Sequence, residues 1–202
     1  MTGLGSHPPG ATPLTDDDLA GLRVSWVSTR SELDGVEAIN IFRGRLWAFR
    51  RRRSRFWYLE PAQLDLIHTR MFDEVWSWAG TLRRRDTNIG VDPHCISVSV
   101  RDLCDDTLAQ IGDGTALAYP ADELAVRFHH RLVLIHPYPN GNGRHSRLAT
   151  DLLVRDLGLD SFTWGSSDIG VSHGTARRRY LDALRTADAH HDFVPLLQFA
   201  RS

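Results

Sequence analysis

His136-Pro137-Tyr138-Pro139-Asn140-Gly141-Asn142-Gly143-Arg144-His145-Ser146-Arg147 lies between two apolar helical patterns, and the rest of the chain is read outward from it. The stretch is a histidine on a stiff turn, a Gly-rich loop, and a helix whose first turn carries two arginines. Such a helix start presents unpaired N–H groups and partial positive charge, and Gly141 and Gly143 remove side chains that would hold an anion off the backbone. Arg144 and Arg147, three apart, project on neighbouring faces and can fork onto phosphate oxygens. Asn142 either fixes the loop or donates to a ligand. Pro137 and Pro139 restrict the turn that holds His136. A histidine beside an anion site, with an ordinary pKa of about 6.5, can take the proton of an attacking hydroxyl. The ingredients suit phosphoryl or nucleotidyl transfer.

Around this loop the periodicity is helical. Leu124, Val126, Phe128, Leu132 and Val133 mark an amphipathic helix over residues 122–134, and residues 144–157 form the next, stopped by Gly158. Residues 175–187 and 193–199 supply two more. Upstream, Leu33, Val36, Ile39, Leu46 and Phe49 form a stripe that ends in the basic run 50–53, read as a solvated helix end that complements the dipole. Pro61 opens a helix with Leu64, Ile67, Met71, Val75 and Trp78 on one face, ended by Ala79-Gly80. Residues 83–93 have no helical period and carry turn residues, which predicts a short β-hairpin flap. Residues 103–111 predict a short helix broken by Gly112-Asp113-Gly114. The Gly/Pro/Thr/Asp-rich start predicts an extended or mobile arm. The expected organisation is an arm over 1–22, a helical extension over 23–60 and the main domain over 61–200. The fold class is all-α, a helical bundle with one flap.

The chain has 202 residues, 42% of them hydrophobic, and its 24 Lys+Arg, against 25 Asp+Glu, are all arginine. Without lysine there is no Schiff base, no pyridoxal-phosphate anchor and no Walker-A lysine. The net charge of -1 argues against direct nucleic-acid binding. Cys95 and Cys104 lack disulfide-framework or zinc spacing and are read as inert thiols in a reducing compartment. His129-His130 with His136 or His145 are read as surface or packing histidines rather than zinc ligands. Residues 1–22 do not resemble a signal peptide, so a soluble, cytoplasmic protein without membrane contact is expected.

The run from His136 to Arg147 closely resembles the signature H-x-F-x-[DE]-G-N-G-R-x-x-R of the Fic (Fido) family. Met71-Phe72, Trp78-Ala79-Gly80, Asn88-Ile89-Gly90 and Arg179-Tyr180-Leu181-Asp182-Ala183-Leu184 look like further landmarks, so the resemblance covers roughly residues 61–199. Together with Ala11-Thr12-Pro13-Leu14, the whole chain looks like the mobile mystery protein B subgroup, associated with mobile genetic elements and a helix-turn-helix or antitoxin-like partner. The resemblance implies a Fido-type bundle that transfers a nucleoside monophosphate, most often AMP from ATP, to a hydroxyl of a target protein. It implies His136 as general base and Tyr138 as a core anchor. Gly141, Asn142 and Gly143 would form the anion hole, Arg144 would contact the β-phosphate and Arg147 the γ-phosphate. Asn88, Ile89, Gly90 and Val91 would form the edge on which a target segment adds as a strand.

Three departures matter. Asn140 replaces the acidic residue that holds Mg²⁺ in the family, and an amide oxygen is a weaker ligand for a hard cation. The readings it leaves open are an Mg²⁺ held mostly by phosphates and water, a slow enzyme or another donor, or a degenerate site that serves binding. Gly143 stands where phosphotransferase relatives carry lysine, which favours attack at the α-phosphorus over phosphorylation. Glu37 lies where a self-inhibitory glutamate would lie, yet Leu33 and Ala38 break the pattern that marks one. A protein adenylyltransferase is therefore expected, with a degenerate, toxin-like nucleotide- or partner-binding module as the alternative.

Overall fold

Helices form where the apolar stripes predict them, in a computed structural model that describes residues 12–50, 54–113, 116–166 and 173–202. In chain order they are α1 (Asp16–Ala20), α2 (Arg30–Arg50), α3 (Pro61–Phe72), α4 (Ile96–Ile111), α5 (Ala121–Ile135), α6 (Asn142–Asp156), α7 (His173–His190) and α8 (Val194–Arg201). Pro61 sits at the start of α3, where its missing N–H costs nothing. α5 and α6 form the central antiparallel pair; α3 and α2 pack on the α6 side, and α4 and α8 on the α5 side. Leu124, Val126, Phe128 and Leu132 of α5 and Leu148, Leu152 and Leu153 of α6 are buried in the shared core. None of the described helices is long and apolar enough to cross a membrane.

The α2–α3 contact positions one face of the site. A Cβ on Gly44 would stand 2.6 Å from the Arg70 carbonyl oxygen, so only glycine lets the two helices approach this closely. Asn40 secures the contact by donating to Arg70 O at 3.3 Å and accepting the Glu74 N–H at 3.0 Å. Glu37, one turn earlier, is thereby buried toward the molecule's centre.

Several expectations change. α3 stops at Phe72 rather than running to Ala79, because the chain turns back: Arg23 N–H reaches Val75 O, Ser77 N–H reaches Gly21 O, and Leu22 and Trp76 form an isolated bridge. α4 begins at Ile96, after a 3-10 turn over Pro93–Cys95, seven residues before the expected start at Leu103. The flap is not a β-hairpin. Residues 83–92 are an irregular loop, and the Arg83 side chain supplies the bonds a ladder would have made. Thr12 to Leu22, expected in an extended or mobile arm, is packed: the Thr15–Asp18 capping box winds α1, and Thr12 and Asp18 are buried. Residues 1–11 of the expected arm, Arg51 to Arg53 of the basic run, and Gly114 of the breaker lie outside the described residues.

Candidate active site

The site is built at the turn from α5 to α6. His136 caps α5 in the left-handed region, at φ 53° and ψ 60°, a conformation uncommon for a residue with a side chain. Contacts on both sides hold it there. Its N–H bonds Leu132 O, and its carbonyl accepts the Arg83 Nε–H at 2.6 Å. Arg83 is nearly buried, and its guanidinium also reaches Arg85 O, Val91 O and Ile135 O. One arginine thus clamps the flap loop to the base of the turn between α5 and α6. Gly90 completes the fit, since a Cβ there would stand 2.4 Å from Arg83 Nη2 and 3.0 Å from His136 Cβ.

The His136 ring is oriented by the same turn. Nδ1 lies 3.2 Å from Val133 O, an acceptor only, so the ring proton resides on Nδ1 and Nε2 carries the lone pair. Burial pushes the imidazolium pKa down to about 4; the Val133 carbonyl opposes the shift and the Arg83 charge adds to it. The ring is therefore a neutral acceptor near pH 7.

Asn142 fixes the loop between them. Its Oδ1 accepts the Tyr138 N–H at 2.9 Å and its Nδ2 donates to Tyr138 O at 2.8 Å, a two-bond clamp across four residues. Tyr138 is buried, stacks on His68 and donates its hydroxyl to Asp65 Oδ1 at 3.0 Å. Gly141 adopts φ 81° against Phe72, where a Cβ would stand 2.6 Å from the ring. His68 accepts the Gly80 N–H at Nδ1 and therefore donates from Nε2 to Asn140 O at 3.1 Å. At Gly143 an added Cβ would meet open space.

The first-turn N–H groups of α6 open on a cavity of ≈ 330 Å³ whose lining includes Arg30, His136, Gly143, Arg144, Arg147 and Arg177. Four arginines line this cavity beside the helix start, with Arg30 paired to Asp34, which lines it too, and the set suits an anion. Arg147 lies over the Tyr180 ring, 4.7 Å from its centre, and its Nε is buried without a hydrogen-bond partner. Arg144 is bound on the other side: its Nη1 donates to Glu37 Oε2 at 2.5 Å, while Glu37 Oε1 accepts Trp76 Nε1–H at 2.7 Å. Glu37 reaches the site from α2, and its partner is Arg144, in the first turn of α6. Arg177, from α7, lines the cavity as well.

Asn140 has little to offer a metal. Its Oδ1 accepts the Gly141 N–H at 2.7 Å and lies 3.4 Å from Arg144 Nη2, and its Nδ2 donates to Thr12 O at 3.0 Å. Among the described residues no group of three or more His, Cys, Asp or Glu is arranged to hold a metal ion. A single, already engaged amide oxygen does not fit a protein-held Mg²⁺.

Asn88 stands at the same place, its Oδ1 3.3 Å from the Thr12 hydroxyl, and Ile89 lines the cavity. His129, His130 and His145 serve packing: His129 meets Tyr180, His130 meets Asp188, and His145 meets Leu64 O. Both cysteines are free thiols, Cys95 exposed and Cys104 buried with its pKa pushed up to about 12.

Sequence reading missed four contributors. Arg83 and Arg177 sat in basic runs that read as loop and surface, His68 sat in an apolar helix stripe, and Thr12 sat in the arm. The pairing of His68 with Leu64 and Met71 at helical spacing was the one available hint that it faces inward.

Residues 58–154 match the profile of the Fic/DOC family. Over 85 residues the chain is 31% identical to protein adenylyltransferase fic-1 of Caenorhabditis elegans, a match that covers 40% of this chain and 16% of that protein. The chain's fold is that of the BepC protein of Bartonella tribocorum, solved with bound AMPPNP (TM-score 0.64, 18% identity, 87% of each chain covered). It is equally that of the N-terminal Fic domain of a Bartonella quintana effector solved with bound ADP (TM-score 0.66, 17% identity, 88% of this chain and 86% of that one).

Proposed function

We propose that this chain, which belongs to the Fic/DOC family, transfers a nucleoside monophosphate, AMP from ATP in the first instance, to a hydroxyl of a protein. The observation that carries the reading is the neutral His136 Nε2 facing a cavity lined by four arginines at a helix N-terminus. In this reading the N–H groups at the start of α6 with Arg144 and Arg147 hold the β- and γ-phosphates, which leaves the α-phosphorus toward His136. His136 Nε2 takes the proton as the acceptor hydroxyl attacks the α-phosphorus, and pyrophosphate leaves. The open space at Gly143 supports this pose, because nothing crowds the distal phosphates. Magnesium would come with the nucleotide, held by phosphate oxygens and water. Arg83 and His68 position the turn and the loop.

A second reading, a nucleotide- or partner-binding module that does not turn over, is favoured by one observation: Glu37 already occupies Arg144. Labelling separates the two. With α-³²P-ATP and protein lysate, His136→Ala and His136→Asn, the latter suited to the left-handed backbone, are expected to lower transfer about 10²–10⁴-fold with unchanged circular dichroism. Undiminished labelling would remove His136 from the chemistry. Nucleotide binding by wild type without transfer to any protein would favour the binding module.

A further inference from the structure

The residue that meets His136 Nε2 is in the same chain. The Thr12 hydroxyl lies 2.9 Å from Nε2, and Thr12 is 7% exposed. Since Nδ1 carries the ring proton, Nε2 accepts, and the hydroxyl hydrogen of Thr12 points at the lone pair that would deprotonate it. A second acceptor, Asn88 Oδ1, is farther, at 3.3 Å.

The arm is held in this place by a series of contacts that differ in kind. The Thr12 carbonyl receives Asn140 Nδ2–H at 3.0 Å, and the Pro13 carbonyl receives Arg85 Nη2–H at 3.3 Å. Arg85 also pairs with Asp18, whose carboxylate closes the capping box with Thr15. The Asp18 carbonyl then accepts Trp78 Nε1–H at 3.0 Å, which ties α1 to the turn after α3. Asn140 itself fits this arrangement: an aspartate there would present no N–H to the Thr12 carbonyl and would repel it. A hydroxyl fixed both at its own backbone and at the base is placed as a reactant is placed before attack.

We propose that Thr12 is an acceptor of the nucleotidyl transfer, modified within its own chain. The proposal rests on the transferase reading above and names one substrate for it, a threonine hydroxyl followed by proline in the N-terminal arm. The Oγ1–H proton passes to His136 Nε2 as Oγ1 bonds the α-phosphorus of a nucleoside triphosphate. The P–O bond to the β-phosphate breaks and pyrophosphate leaves with its electron pair. Thr12 is left as a phosphodiester of the nucleoside.

The test uses the full chain and α-³²P-ATP, with intact mass and fragment mapping. The expected result is a mass gain of one nucleoside monophosphate, mapped to Thr12, at a first-order rate that does not change on dilution. Thr12→Ser keeps the label, now on residue 12 as serine, and Thr12→Val loses it while circular dichroism stays as in wild type. His136→Ala chain, with Thr12 intact, stays unlabelled when mixed with wild type. Label on another residue, label undiminished in Thr12→Val, or a rate that scales with chain concentration would overturn the proposal. Labelled lysate proteins beside an unlabelled Thr12 would overturn it while leaving the transferase reading intact. No transfer to the chain or to lysate from any nucleoside triphosphate would overturn both.

Discussion

The loop from His136 to Arg147 and the arm from Thr12 to Leu22 both carry glycine, proline and short polar residues, asparagines in the loop and threonines and aspartates in the arm, and both make ordered contacts at the same cavity. They are held differently. The loop is fixed from within, by the Asn142 clamp on Tyr138 and by two long helices that leave it no other path. The arm is fixed from without, by Asn140, Arg85 and Trp78, and by only five residues of helix. A Gly/Pro-rich composition therefore describes a segment's freedom in isolation, and the partners it meets decide whether that freedom is used.

The first way to sharpen the contrast is acid. The loop side holds His68, His136 and His145, and α5 adds His129; burial lowers the pKa of each, to about 4 for His136 and His145 and about 3 for His129. The unfolded chain takes up these protons near pH 6.5, the folded chain only well below it. Between about pH 6.5 and about pH 4 the unfolded state binds more protons, so stability falls as pH falls, each histidine adding up to about 1.4 kcal/mol per pH unit. Asp65 and Asp151, whose pKa values burial raises, act in the opposite direction, but two carboxyls face these four histidines and His130 of α5, whose pKa burial also lowers. Denaturant melts across this range are expected to show the midpoint dropping steadily on acidification. A flat profile would mean that the loop side is not buried as described. The arm contributes no histidine between Thr12 and Leu22, so its loss would bear on this slope only through His136, whose Nε2 Thr12 covers.

Next in size is the clamp. Asn142→Ala leaves the Tyr138 N–H and C=O, buried with Asn142, without their partner, a cost of about 1–3 kcal/mol. Because the same residue shapes the anion loop, nucleotide affinity is expected to fall with stability. Calorimetric unfolding with ATP titration would read both. A variant that lost stability yet bound ATP as wild type would show that the loop does not carry the phosphates.

The contrast also explains what could be read from the sequence. The loop was legible because its histidine, glycines, asparagines and arginines are contiguous, and each acts within a few positions of itself. The bundle was legible because the helical stripes are local too, and α5 and α6 end within two residues of the limits their patterns predict. What escaped is long-range. Arg83 acts on a carbonyl 53 positions away, His68 72 away, Glu37 107 away and Thr12 124 away. No period or motif encodes such pairings, which arise only once the bundle has brought the chain segments together. The hairpin failed for the same reason: a distant carbonyl pair, at Ile135 and His136, captured the arginine whose neighbours looked like strand.

The smallest expected effect is the most selective. Thr15→Ala removes the side-chain half of the capping box, which contributes about 1 kcal/mol to a helix start. α1 is short and lies at the molecule's edge, so most of that loss is local: global melting moves little, while amide exchange in α1 accelerates several-fold, as about 1 kcal/mol implies. If the arm is held as described, freeing Asp18 from Thr15 also loosens Arg85 and, through Pro13, the position of Thr12. Self-labelling at Thr12 is then expected to slow by a similar factor, while nucleotide binding at the α6 start, which the capping box does not touch, keeps its affinity. Slower exchange in α1, or self-labelling and ATP affinity falling together, would show that arm and loop are one cooperative unit and that the division between them does not hold.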